Sequence, residues 1–541
     1  MQPPCLRDSS ESCFSGSCFP ATNLLNQSKH QEIKIDTPQH EFAAATAASL
    51  NPNTKFTNPD SLPSLPDSLS NFLKSYPKYI ATQTADHIRD REYYHLTLSD
   101  HVCLDYVGQG LFSYSQLNTL QNRASSSSSS IPNLQFFNVL HKSKTHQGKQ
   151  TQFEIRIQER IMKFMNISTE DYSMVFTANR SSAFKLVSEF YPFDSSSNLL
   201  TIYDHQSEAV DALTQAAKNK GCRIKTAKFG WPSLRIHTDK LKKMVISNSR
   251  RRTRTRTRTR TKGLFVFPLQ SRMTGAQYSY QWMTLAHDNG WHVLLDASSL
   301  GAKDMETLGL SIFQPDFIIC SFFKIFGENP SGFGCLFVKK TSFPSFNIST
   351  LSTTVKIANG EEEEEDENHE MEELEFRGLD HADNLGLILI SSRVRYLVNW
   401  LVNALMSLEH PHQDDRIPLV RIYGPKIRVA RGPAVAFNLF DWKGEKVEPL
   451  MVQKLADRSN ISLSFGFILF EDQEEEEERE RERGMEKKKK GFDAVTATLG
   501  FLTDFGDTYR VWKFVSQFLD ADFVEKERWR YKALNQTILE V

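Results

Sequence analysis

The sequence predicts an α/β protein: a large domain with a mostly parallel sheet between helices, followed by a smaller α+β C-terminal domain. Three observations predict it. Short apolar runs rich in Val, Ile, Leu and Phe recur without polar alternation at Leu199–Tyr203, Gly263–Phe267, His292–Leu295, Asp316–Cys320 and Cys335–Val338, as parallel strands covered on both faces require. Amphipathic stretches fit between them, at Gln206–Ala217 and Tyr278–Asn289. That alternation implies a doubly wound sheet. Beyond residue 375 the pattern changes to one long helix and a few short strands.

In chain order, residues 1–70 are rich in Ser, Pro, Asn and Thr and read as a disordered arm. Residues 71–375 hold an N-terminal segment and the large domain. Within it lie a serine run at Ser125–Ser130, a basic insertion at 250–262 with eight cationic residues, and an acidic insertion at 361–375 with eleven acids. Residues 376–541 form the small domain: a long helix over Asp383–Leu408, a strand over Pro433–Asn438, and a helix near Glu448–Arg458. Strands at Ile461–Phe465 and Ala494–Leu499 and a final helix around Asp507–Leu519 complete it. A third charged insertion, 471–490, mixes ten acids with seven bases. Like charges repel and stay solvated, so all three insertions are expected on surface loops.

The chain has 541 residues, with Lys+Arg 65 against Asp+Glu 66. That balance argues against a globally basic nucleic-acid binder. Seven widely spaced cysteines argue against a disulfide scaffold, and no Cys-x-x-Cys or His-x-x-His pair points to zinc. No apolar run approaches the ~18 residues of a membrane span, and Asp8 and Glu11 interrupt any secretory signal. A cytoplasmic protein without nucleic-acid or membrane partners is expected.

Four segments carry the chemistry. In FTANRSSAFKLVSEF (176–190) a strand end runs into Asn179, Arg180 and Ser181 and then a helix, whose first free N–H groups make an anion site; the same residues also make an ordinary N-cap. In IYDHQSEAV (202–210) His205 follows a strand, either as an exposed cap or as a ring that stacks on a cofactor. In HVLLDASSLGAKD (292–304) Asp296 ends a strand, where open α/β sheets bind ligands. Such an acid binds a ribose hydroxyl, a metal or a ring nitrogen, but no Gly-x-Gly-x-x-Gly and no nearby ligand set supports the first two. In DFIICSFFKIFGENPSGFGCLFVKK (316–340) Ser321 and Lys324 follow a strand among aromatic residues. Burial would free that amine as a nucleophile; otherwise its stem covers apolar surface. In this order the four supply what pyridoxal 5'-phosphate needs: a lysine, an acid at the pyridine nitrogen, a phosphate cradle and a ring partner.

Here the chain resembles the class V aminotransferase and cysteine desulfurase family, fold type I, and most of all the N-terminal domain of plant-type molybdenum cofactor sulfurases. The matching residues are CLDYVGQGLFSYSQ (103–116), FTANRSSAFKLV (176–187), DHQSEAV (204–210), FPLQSRMTG (267–275), LLDASSLG (294–301), SFFKIFGENPSGFGCLFVKK (321–340), RGPAVAFNL (431–439), SNISLSFG (459–466) and TATLGFLTDFGD (496–507). The resemblance implies a homodimer and a pyridoxal-phosphate cofactor held as a Schiff base on Lys324. It also implies that Asp296 pairs with the ring nitrogen, that His205 stacks on the ring, and that Asn179, Arg180, Ser181 and Ser321 cradle the phosphate. A small-molecule amine or amino acid would be the substrate.

The departures bear on the reaction. The family's mobile cysteine follows a segment like SNISLSFG, but here Phe467-Ile468-Leu469-Phe470 follows and no cysteine lies beyond Cys335. The arginine that holds the substrate carboxylate falls at Thr496, and a hydroxyl cannot replace a bidentate guanidinium. A cofactor-contacting glutamine falls at Ser299 and an asparagine at Arg272. The sequence runs to Val541, just past the small domain, so the sulfurases' C-terminal module is expected to be missing. The expectation is a transferase-like protein without cysteine desulfuration, or a non-catalytic descendant that binds or regulates. Cys320 and Cys335 are expected in the core.

Overall fold

The computed structural model describes residues 55–105, 152–231, 234–246, 262–298, 310, 312–322, 333–343, 377–411, 417–425, 431–470 and 490–539. The three charged insertions and the serine run fall outside the described residues, apart from Lys262, Glu471's neighbour Phe470 and Lys490 at their margins.

The large domain is built on β1 (Tyr172–Thr177), β2 (Asn198–Thr201), β3 (Arg223–Thr226), β4 (Gly263–Pro268), β5 (Trp291–Asp296), β6 (Phe317–Ser321) and β7 (Gly334–Lys339). Their order across the seven-stranded sheet is β1-β7-β6-β5-β4-β2-β3. The run from β6 to β3 is parallel, and β7 lies antiparallel to both β6 and β1. The cause is visible in β4. Phe265 and Phe267 join one core and Leu264 and Val266 the other, because side chains alternate between faces and both faces are covered. On the second face lie α4 (Arg180–Phe190) and α5 (Glu208–Asn219), through Ala183, Phe184, Val187, Leu213 and Ala217. On the first lie α3 (Gln152–Phe164), α6 (Gln281–Asp288) and α7 (Arg377–Leu385), through Ile161, Met283, Ala286 and Leu379.

The small domain has β8 (Val420–Tyr423), β9 (Ala434–Leu439), β10 (Ser464–Leu469) and β11 (Gly491–Thr498), antiparallel in the order β8-β9-β11-β10. Its core gathers Trp400, Leu401 and Leu405 of α8 (Leu387–Met406), Met451 and Val452 of α9 (Pro449–Arg458), and Val511, Trp512 and Val515 of α10 (Phe505–Ser516). A last helix, α11 (Ala521–Leu539), was not expected from the sequence.

Two expectations need correction. Residues 55–70 of the expected arm are folded onto the small domain: the Phe56 N–H donates to the Ser407 carbonyl at 2.9 Å, and α1 (Leu65–Ser75), capped by Ser64, buries Phe72 in the small-domain core. The polar composition of this stretch hid one strong apolar face. The helix expected over Asp383–Leu408 is two helices, α7 and α8, meeting at 86°. Gly386 stands between them at φ +75°, a backbone conformation costly for any residue with a side chain. The break sends α7 to the large domain and α8 to the small one. No single described helix is long and apolar enough to cross a membrane.

The chain preceding the large sheet is also pinned by charge. Arg89 of α2 (Gln83–Glu92) donates through Nη2 to Asp507 Oδ1 at 3.0 Å and through Nη1 to the Leu502 carbonyl at 2.8 Å. Arg393 pairs with Asp86 of the same helix and donates to the Thr503 carbonyl at 3.0 Å. Arg89 and Asp507 are both buried, so removing one partner strands the other charge. Asp507→Ala is expected to lower unfolding stability by about 3 kcal/mol, read as a lower denaturant midpoint at unchanged slope. A loss below ~0.5 kcal/mol, the range of a surface pair, would refute the assigned burial.

Candidate active site at the strand ends

The C-terminal ends of β2, β4 and β5 converge on one polar cluster. Its centre is Asp296, the last residue of β5 and 3% exposed. Oδ1 accepts from the Ser298 hydroxyl at 2.6 Å and the Ser298 N–H at 3.2 Å. Oδ2 accepts from the Tyr203 hydroxyl at 2.8 Å and from Arg180 through Nη2 at 2.6 Å and Nε at 3.1 Å. Burial alone would raise the Asp296 carboxyl. The Arg180 charge and hydrogen bond, with those of Ser298 and Tyr203, outweigh it and hold the group below its usual range. Burial and the Asp296 charge push the Tyr203 hydroxyl well up.

A second buried carboxylate fixes the imidazole. Asp204 is fully buried and accepts from His205 Nδ1 at 2.9 Å, the Ser271 hydroxyl at 2.7 Å and the Thr274 hydroxyl at 2.5 Å. Burial opposes its charge, but these bonds prevail and lower its pKa. The bond from Nδ1 to Asp204 sets the ring plane of His205.

The small domain closes over this segment by backbone pairing. The Leu469 N–H donates to the Asp204 carbonyl at 2.8 Å, the Gln206 N–H donates to the Phe467 carbonyl at 2.9 Å, and His205 bridges Ile468. From the other side, the turn after β4 meets β9. Gly275, at φ +68°, lies so close that a Cβ there would stand 2.4 Å from the Ala434 carbonyl oxygen. The Gly432 N–H donates to the Gly275 carbonyl at 2.7 Å.

The expected site residues divide as follows. Asp296 and His205 follow the two strands that flank β4, with Tyr203 between them: it bonds Asp296, and its ring centroid lies 5.9 Å from that of His205. Asn179 caps α4, its Oδ1 accepting from the Ser182 N–H at 2.9 Å, and Ser181 lies exposed in the first turn. Arg180, expected in the phosphate cradle, instead turns inward to Asp296 and Ser207, donating to the Ser207 hydroxyl at 2.9 Å. Ser321 ends β6, half-buried, in register with Gly334. Arg272 sits among the charges of Arg180, Asp105 and Asp296; burial and the neighbouring Arg180 hold its guanidinium below its ordinary value. Lys324 and Ser299 lie outside the described residues. Thr496 is buried in β11 and donates to the Met273 carbonyl at 2.9 Å.

Sequence reading missed Tyr203, Asp204, Ser207, Ser271, Thr274 and Ser298. Tyr203 and Asp204 lay inside a segment already singled out, and the only available signal was two polar groups at the end of an apolar strand. Cys320 and Cys335 face each other across β6 and β7 in the core, where burial raises both thiols. Among the described residues no His, Cys, Asp and Glu group could hold a metal ion.

This fold, with its site at the carboxyl edge of a largely parallel sheet, is fold type I of the pyridoxal-phosphate-dependent transferases. Two solved structures share it. The cysteine desulfurase of Thermococcus onnurineus NA1 matches with a TM-score of 0.52 at 14% identity, covering 80% of this chain and 98% of that one. The cysteine desulfurase CsdA of Escherichia coli matches with a TM-score of 0.50 at 15% identity, with the same coverage, 80% and 98%. In sequence, the homologues are molybdenum cofactor sulfurases. The human protein is 27% identical over 416 residues, covering 70% of this chain and 43% of its own length. That of Arabidopsis thaliana is 25% identical over 444 residues, covering 73% and 52%. The chain thus spans about half the length of the curated relatives it matches. They come from animals, plants and fungi, so the kinship does not mark the chain as a plant protein. No family model matches the chain.

Asp204 and Asp296 both titrate lower folded than unfolded. Their stabilisation is therefore present above the unfolded value of about 3.9 and is lost as pH falls through the depressed folded values. Asp204→Asn should lower Tm at neutral pH and flatten the acid limb of the stability profile below pH ~4. An acid limb identical to that of the wild type would contradict the paired, ionised Asp204.

Proposed function

We propose that the chain is a pyridoxal-phosphate-binding, desulfurase-like protein of the sulfurase group that acts on an amine or amino acid without desulfurating cysteine. The observation that carries this reading is Asp296, an ionised carboxylate buried at the carboxyl end of a parallel strand, with His205 oriented beside it by Asp204. The donor set fits the cofactor in kind. Asp296 would hold the ring nitrogen, the His205 imidazole would cover a ring face, and the first turn of α4 with Ser181 and Ser321 would take the phosphate. Lys324 would hold the cofactor covalently. When bound, the cofactor supplies an electron sink for bonds at the carbon bearing the substrate amine.

The chain's own residues add three effects. Asp204 bonds Nδ1 of His205 and so fixes the orientation of the imidazole. The backbone bonds of residues 204–206 with 467–469 hold a strand of the small domain against one side of the site. The same residues bear on the reaction. A sulfur-carrying loop must move, whereas Ser464–Leu469 is a strand paired on one side with β11 and at its end with Asp204 and Gln206. Thr496 offers the substrate carboxylate no cation, being buried and bonded to a carbonyl. A homodimer is part of the proposal, resting on the resemblance.

A second reading, a non-catalytic descendant acting as a binding or regulatory protein, is favoured by one observation: the Asp296 carboxylate is already filled by donors of the chain itself. Absorption spectroscopy separates the two. The first reading expects a bound-cofactor band that is lost in Lys324→Ala and shifts with an amine or amino acid, with no sulfide released from cysteine. Protein that stays colourless in excess pyridoxal phosphate would reject it, and sulfide release at desulfurase rates would reject its denial of desulfuration. A band that responds to no member of an amino-acid panel favours the second reading.

A further inference from the structure

The Arg180 side chain is placed by four contacts, none of them at the surface. Nη2 and Nε donate to Asp296, Nη1 donates to the Ser207 hydroxyl at the start of α5, and the guanidinium lies 4.9 Å from the centroid of the Phe184 ring. The side chains of Arg180 and Asp296 are 15% and 4% exposed. One residue thus ties together the start of α4, the start of α5 and the end of β5.

A carboxylate offers about four lone-pair positions. On Asp296, Ser298 takes two through its hydroxyl and N–H, Tyr203 takes a third and Arg180 Nη2 the fourth, with Nε sharing. Nothing remains for a protonated ring nitrogen. Ser298 and Tyr203 are neutral, and a neutral donor can coexist with a cation on the same carboxylate. A pyridinium and a guanidinium compete, because each draws on the one negative charge of a carboxylate whose lone-pair positions are already taken.

Resting on the proposed cofactor site, we infer that Arg180 stands in for the ring nitrogen on Asp296 and must release that carboxylate before a protonated ring can dock. Arg180 is then a residue that weakens and gates cofactor binding. It is the opposite of a cradle residue, whose removal would weaken binding. Ser207 is its positioning partner, since the hydroxyl holds the guanidinium arm that Asp296 does not.

The test measures dissociation constants of the full chain for pyridoxal 5'-phosphate, and for the carbocyclic analogue in which CH replaces the ring nitrogen. Binding is read by absorbance and intrinsic fluorescence. Arg180→Ala should bind pyridoxal phosphate at least tenfold more tightly than the wild type, and saturating cofactor should raise the Tm of the variant more than that of the wild type. The analogue, which cannot use Asp296, should gain much less. Ser207→Ala leaves Asp296 and its pair in place and should show a smaller gain in the same direction, which keeps the question open to decision if Arg180→Ala folds poorly. Three results would overturn the inference: equal affinities in wild type and variants, weaker binding by Arg180→Ala, or the same gain for cofactor and analogue, which would mean that only space was created. Absence of cofactor binding in wild type and in both variants would overturn the cofactor site itself and this inference with it.

Discussion

A carboxylate at the end of a strand buried on both faces cannot stay ionised unless protein groups replace the water it has lost. In this molecule that constraint falls twice along the carboxyl edge of the sheet, at Asp296 and Asp204 after the two strands that flank β4, and each is met by a shell of donors both near and distant in the chain. The donors to Asp296 come from α4, the end of β2 and the residues after β5. Those to Asp204 come from His205 and the turn after β4. Satisfying two charges therefore fixes the relative positions of the sheet's carboxyl edge, two helix N-termini and one imidazole. Leaving either charge unpaired would cost several kcal/mol.

The small domain takes part in the same arrangement through backbone groups. Ile468 and its neighbours pair with residues 204–206, and Gly275 allows the β4 turn to touch Ala434. The two domains also share helices: the break at Gly386 lets adjacent turns of chain serve different cores, and α1 returns from the N-terminal side to complete the small one, while α2 places Ala85 in the large core and pairs its Arg89 with Asp507 of α10. Closure of the site is thus tied to the packing of segments several hundred residues apart. Phe467, Ile468 and Leu469 form a paired, partly buried strand that is held at its end by residues 204–206.

The large sheet was legible because coverage on both faces leaves runs of unbroken apolar residues, and each of the five runs read from the sequence became a strand displaced by no more than two residues at either end. Edge strand β3, with Arg223, Lys225 and Thr226, lacked that signature and went unread. The helix break at Gly386 went unread because the flanking residues are periodic on both sides, and a single glycine within a helical pattern ordinarily costs only about 1 kcal/mol. Residues 55–70 were read as an arm because their polar composition outweighed Phe56 and the apolar face of α1. Of the site, Asp296 and His205 were legible from their positions at strand ends, and Asn179 as a cap.

By itself the sequence determined the fold class, five strands of the central sheet, the strand-end positions of Asp296 and His205, and the absence of any cysteine beyond Cys335. These follow from local pattern and composition, which need no partner to be read. Only the tertiary structure decided the direction of Arg180. At the first position of a helix a guanidinium can lie along the anion site or turn beneath it, and local spacing is the same for both. The choice was made by Asp296, 116 residues away, together with Ser207 and the face of Phe184. A buried negative charge takes the nearest cation that can reach it, and which cation that is depends on how the sheet brings the ends of its strands together.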